Sequence, residues 1–90
     1  MLRTIIEEAV VSETIDQSTE IYPRLEEAFD GLKWFLAHSP ESGEILDDFH
    51  WIYRNQADHE QNIPAILVIY TFDESRVILR FIALRMPLIK

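Results

Sequence analysis

The amino-acid sequence predicts an α+β domain in which two N-terminal helices pack on one face of an antiparallel sheet, in the order β-α-α-β-β-β. Three observations predict it. Apolar residues at three- and four-residue steps, Leu25, Ala28, Phe29, Leu32, Phe35 and Leu36, form one helical stripe in the first half. Three strand-like runs, 45–54, 65–72 and 76–85, fill the second half, and a run of strands after helices is the pattern of segregated layers. Ninety residues suffice for one core of a single sheet and one helical layer, so residues 1–90 are read as one domain.

Each element has a local reason. Thr4 to Val11, TIIEEAVV, reads as a first strand with Thr4 and Ile6 on one side and Ile5 on the other, although Glu7 and Glu8 blur the alternation. Thr14-Ile-Asp-Gln17 fits a capping box, which places the start of a short helix near Thr14. Pro23 lacks an amide proton and biases Tyr22 towards an extended conformation, so the chain breaks after Ile21 or kinks there before a new helix. The main helix runs from Leu25, with Glu26, Glu27, Asp30 and Lys33 opposite the apolar stripe and Trp34 off it; His38-Ser-Pro40 ends it. Gly31 inside this helix costs about 1 kcal/mol relative to alanine, which burial of the stripe offsets.

After the loop PESGE, Ile45 to Arg54 reads as a strand with Phe49, Trp51 and Tyr53 on one side and His50, Ile52 and Arg54 on the other. Ala65 to Phe72, AILVIYTF, is apolar on both sides and belongs in the middle of a sheet. Asp73-Glu-Ser75 is short enough for a hairpin turn into Arg76–Arg85.

Composition limits the function classes. The chain is 48% hydrophobic and 27% charged, inside the range of folded globular proteins and away from disorder. It has no cysteine, which removes disulfides, thiolate metal ligands and thiol nucleophiles. No apolar run approaches a membrane span and the first residues do not form a secretory signal, so a cytoplasmic, membrane-free setting is expected. The net charge of −8 argues against coating nucleic acid with the whole surface. Charge is uneven, however: all 16 acidic residues lie in 1–74, whereas the last sixteen residues carry only Arg76, Arg80, Arg85 and Lys90. Any anion site is therefore local, and the plain alternative is that these cations pair with acidic neighbours.

Three pieces of the chain together resemble the RelE/ParE toxin superfamily of bacterial type II toxin–antitoxin systems: LAHSPESGEIL, like that family's helix end, proline, glycine and leucine-bearing strand; FHWIYR, like the strand ending near an arginine; and LVIYTFDESRVILRFIALR, like its closing hairpin. The resemblance covers most of the chain and implies a helical hairpin on a curved antiparallel sheet, with a cognate antitoxin as partner. Two activities share that fold, gyrase inhibition and ribosome-dependent mRNA cleavage, so residues must choose between them.

RNA cleavage needs a base, an acid and cations for the charge developing at phosphorus. RelE-like enzymes resemble one another in using lysines, arginines and often a C-terminal tyrosine. Here Leu67 stands where the family's middle strand often has arginine, and no tyrosine follows Tyr70. Arg85 alone matches a position that is commonly basic, with Arg54 as a second candidate and His50 as a candidate acid or base. In a regular strand Arg76 and Arg80 share a face with Ile78 and Ile82, whereas Arg80 and Arg85 point oppositely. The histidines have no zinc-motif spacing, phosphate loops and nucleophilic triads are unsupported, and no cofactor or metal is expected.

The resulting expectation is a toxin-like component that binds an antitoxin through Arg76, Arg80, Arg85 and Trp34, and acts by binding a target such as gyrase. The alternatives are a ribosome-dependent endoribonuclease using Arg85, Arg54 and His50, or a degenerate binding module without toxicity. Toxins of the family are commonly basic, so in this acidic chain attraction to a partner is local. The residues neither specify nor exclude a homo-oligomer.

Overall fold

The computed structural model describes residues 2–87. Lys90, the last of the C-terminal cations, lies outside them. In chain order the elements are β1 (Thr4–Glu7), α1 (Ala9–Ser18), α2 (Leu25–His38), a 3-10 turn at Pro40–Ser42, β2 (Glu44–Ile45), β3 (Trp51–Asn55), β4 (Ala65–Phe72) and β5 (Arg76–Arg85). This is the α+β class and the broad element order that the sequence predicts.

The sheet runs β1-β5-β4-β3-β2. Its hairpins are antiparallel, but β1 lies parallel to β5, so the sheet is mixed and not wholly antiparallel. The reason is topological. β1 is not hairpin-connected to its neighbour; the chain leaves it through both helices and returns to the sheet at the opposite edge.

Two N-terminal expectations are corrected. The first strand ends at Glu7 instead of Val11, because Glu8 makes the last sheet bond, from its N–H to the Leu79 carbonyl, and its own carbonyl accepts from Val11 and Ser12. Glu8 thus caps a helix that starts at Ala9, five residues before Thr14. Thr14 is inside that helix, where its hydroxyl donates to the Val10 carbonyl at 2.7 Å. A hydroxyl that bonds back along its own helix has left the capping role. Near Pro23 the chain breaks as expected: α1 ends at Ser18 and α2 starts at Leu25.

The predicted strand 45–54 is divided. Asp47 folds the chain back, its Oδ1 accepting from the Phe49 and His50 amides at 2.8 Å, while the Leu46 amide reaches the His50 carbonyl at 2.9 Å. Phe49 consequently lies outside β3, and only Trp51 and Tyr53 of the expected aromatic face pack against the core.

The core forms between the helices and one sheet face. Val11 and Ile15 of α1 and Leu25, Phe29, Leu32 and Leu36 of α2 meet Ile66, Val68 and Tyr70 of β4 and Val77, Leu79 and Ile82 of β5. Full burial of each large aliphatic or aromatic side chain contributes about 1.5–3 kcal/mol. Lys33 ties α2 to β1 through Glu7 at 3.0 Å; burial works against its charge, but the Glu7 bond and carboxylates outweigh it and raise its pKa.

Tyr70 joins the sheet to the 3-10 turn. Its buried hydroxyl donates to the Pro40 carbonyl, and burial pushes its pKa up to about 12. Gly43 passes directly over that hydroxyl with φ −76°, so glycine is required here by close approach and not by backbone angle.

Candidate functional site: the open sheet face

β5 does not stay regular. Ile69 pairs with Phe81 and Tyr70 with Leu79, leaving Arg80 as an extra residue in a β-bulge. The burial pattern changes phase there: Val77 and Leu79 are buried before the bulge, Ile82 after it. A bulge of one residue shifts every later side chain to the other face. Arg80 and Arg85, five apart, therefore both fall on the face away from the helices, which corrects the expectation that they point oppositely. Arg76 joins Arg80 there as expected, but Ile82 is turned into the core.

Among the described residues no helix covers this face. Its apolar members include Ile6, Ile52, Leu67, Ile69, Ile78 and Phe81, and Phe81 remains 46% exposed. Around them most cations are already engaged by this chain's own carboxylates. Arg54 pairs with Glu44 at 2.7 Å, Arg80 with Glu8 at 3.2 Å and Arg76 with Asp73 at 3.4 Å. Arg3 donates to the Asp73 carbonyl at 2.8 Å and sits over the Phe72 ring. Among the described residues Arg85 is the C-terminal arginine without an ion-pair partner.

Arg85 and Arg54 do come together. Arg54 pairs in register with Leu67, which pairs with Ala83, and Ala65 pairs with Arg85. The ends of β3 and β5 and the start of β4 thus enclose an open depression of about 420 Å³, lined by both arginines with Asn55, Gln56, Ala65, Ile66, Leu67 and Ala83. It offers two cations and an apolar floor. Among the described residues its lining has no His, Lys, Tyr, Asp or Glu to exchange a proton near neutrality.

His50 is not part of that site. It lies before β3, at the end opposite Arg54, and its Nδ1 is 2.9 Å from Asp47 Oδ1. The Phe49 amide first, and then His50, hold the Asp47 carboxyl below its usual pKa. Trp34 is separate as well. It is 64% exposed, its ring centroid is 4.1 Å from that of His38, and it borders a depression at the β1 edge with Leu2, Arg3, Ile5, Glu7 and Lys33. The three C-terminal arginines do not line that depression, so Trp34 and the arginines expected to bind a partner do not share it.

Sequence reasoning missed the β2–β3 loop. Ile45 and Phe49 are 70% and 76% exposed and Leu46 is nearly half exposed, beside Asp47 and Asp48. The available signal was Asp-Asp after Ile-Leu, since an aspartate that accepts from the next amides makes a turn and stops a strand. Among the described residues no three His, Asp or Glu side chains converge to hold a metal ion, and no helix is long and apolar enough to cross a membrane. No protein-family model, no curated protein and no solved structure matches this chain.

Proposed function

We propose that this chain is a protein-binding module, the toxin-like component of a RelE/ParE-type toxin–antitoxin pair, which engages its cognate antitoxin and any target such as gyrase by binding rather than by cleaving RNA. The observation that carries the reading is the make-up of the open sheet face. Its centre is apolar, and Arg54, Arg76 and Arg80 are committed to carboxylates of the same chain. Paired arginines supply little net field to a phosphate backbone, whereas an uncovered apolar face with a polar rim suits a protein segment. The resemblance of LAHSPESGEIL, FHWIYR and the closing hairpin to the toxin family supplies the kind of partner.

The test has two arms. Co-expression with the product of the adjacent gene should give a complex that Phe81→Asp weakens at least tenfold; no association would overturn the antitoxin reading. Controlled induction of the chain alone should arrest bacterial growth, and Arg85→Ala should relieve arrest at equal protein level. Normal growth with retained partner binding would make it a binding module without toxicity.

The juxtaposition of Arg54 and Arg85 favours one second reading, ribosome-dependent mRNA cleavage. In that case messages from induced cells would be cut within minutes, and Arg54→Ala and Arg85→Ala would each abolish cutting. Intact messages during arrest would eliminate it.

A further inference from the structure

The β2–β3 loop and the Arg54/Arg85 depression are complementary, and they belong to the same chain. The loop projects Leu46 and Phe49 beside Asp47 and Asp48. Its shape is held before any partner arrives, because Asp47 accepts from the Phe49 and His50 amides and the Leu46 amide bonds the His50 carbonyl. A preorganised apolar projection loses little conformational freedom on docking. The depression has the opposite character, an apolar floor of Leu67 and Ala83 rimmed by two guanidinium groups. Arg54 is held by Glu44, which leaves Arg85 to meet an incoming carboxylate.

The loop cannot fill the depression of its own chain. The loop precedes Trp51 and the depression lies at Arg54 and Asn55, so the four steps along β3 from Trp51 to Asn55 separate them by roughly 13 Å at ~3.3 Å per step. We infer that a second copy of this chain is the occupant, in a twofold dimer in which the Leu46–Phe49 loop of each protomer enters the Arg54/Arg85 depression of the other.

Twofold symmetry follows from placement. Projection and depression sit at opposite ends of one strand, so a rotation that seats one loop can seat the other, and the assembly closes at two copies; a head-to-tail arrangement would continue into an open chain. Size argues the same way. A stable interface needs about 800 Å² per partner, more than one short loop supplies, whereas two loop contacts with the surface between them approach it. The inference concerns the purified chain alone and does not depend on the partner reading.

Sedimentation equilibrium of the purified chain tests it. A dimer is expected at tens of micromolar, an association of roughly −6 kcal/mol. Phe49→Ala, Asp48→Arg and Arg85→Asp should each weaken it tenfold or more. Asp48→Arg combined with Arg85→Asp should restore it to within a few-fold, because the reversed pair is again complementary across the twofold. All three positions are outside the buried core, and circular dichroism checks that each variant is folded. The chain has no cysteine, so Asp48→Cys with Arg85→Cys gives a second readout. Under mild oxidation with oxidised glutathione, the two thiolates of each inter-protomer pair form a disulfide while glutathione is reduced, giving a covalent dimer that neither single variant forms in that way. A wild-type chain that stays monomeric to ~1 mM, a dimer that Phe49→Ala leaves unmoved, or a ladder of longer disulfide-linked species would each overturn the inference.

Discussion

Two glycines should respond to alanine with opposite signs. A Cβ at Gly43 would lie 2.2 Å from the Tyr70 hydroxyl oxygen and 2.6 Å from the Ile52 carbonyl oxygen. Neither can retreat easily, since Tyr70 is fully buried and bonded to Pro40, and Ile52 is inside β3 and paired on both sides. Overpacking of this kind costs about 1–3 kcal/mol, and detaching the buried hydroxyl from Pro40 adds about 1–2 kcal/mol. At about 4–8 °C per kcal/mol for a domain of this size, the combined cost of about 2–5 kcal/mol should lower the thermal midpoint of Gly43→Ala by roughly 10–40 °C. Gly31 is the control. Nothing lies within 4 Å of a Cβ there, and it is inside α2, so alanine should stabilise by about 0.5–1 kcal/mol and raise the midpoint. Calorimetry of both variants decides the matter. In a Tyr70→Phe background the 2.2 Å contact is gone, and the penalty of Gly43→Ala should shrink by about 1 kcal/mol. A midpoint for Gly43→Ala within 2 °C or so of wild type would refute the close-approach argument.

Three further outcomes follow from named contacts. Tyr70, with its pKa pushed up to about 12 by burial, should stay protonated while an unfolded tyrosine ionises near 10; its share of stability is complete below about pH 10 and is lost as pH rises towards 12. Ultraviolet titration of the folded chain should show one tyrosine ionising late, and Tyr70→Phe should remove that step. Asp73 is held down to about 2 by the Ser75 and Arg76 amides and the Ser75 hydroxyl, so its contribution is present above about pH 4 and disappears as pH falls through 2. Asp73→Asn should therefore lower urea stability at pH 7 and make little difference near pH 2; an equal loss at both pH values would contradict the charge argument. Leu79→Ala in the core should cost about 2–5 kcal/mol, whereas Leu46→Ala on the exposed loop should stay within about 0.5 kcal/mol of the monomer's stability in denaturant titrations.

Much of the fold was legible because the signals are local. The helix from Leu25 to His38 follows from its apolar stripe and the His-Ser-Pro stop, and β4 and β5 follow from two apolar runs joined by Asp73-Glu-Ser75. The N-terminal boundary was not legible, since the strand stops where Glu8 finds the Leu79 carbonyl, 71 residues away in sequence. Thr14 looked like a cap because a capping box is defined by spacing, and spacing cannot say whether a helix has already begun.

The candidate site divides in the same way. Sequence alone determined its ingredients: a net charge of −8 with four cations at the C-terminal end, Arg54 and Arg85 as candidates, and an all-apolar central strand. Tertiary structure decided how they combine. The bulge at Arg80 turns Arg85 to the open face, strand register sets it beside Arg54, and carboxylates distant in sequence neutralise Arg54 and Arg80. Periodicity carries side-chain direction only while a strand is regular, and one extra residue reverses it; ion pairing depends on which strands become neighbours. Both are properties of the assembled sheet, which no window of consecutive residues contains.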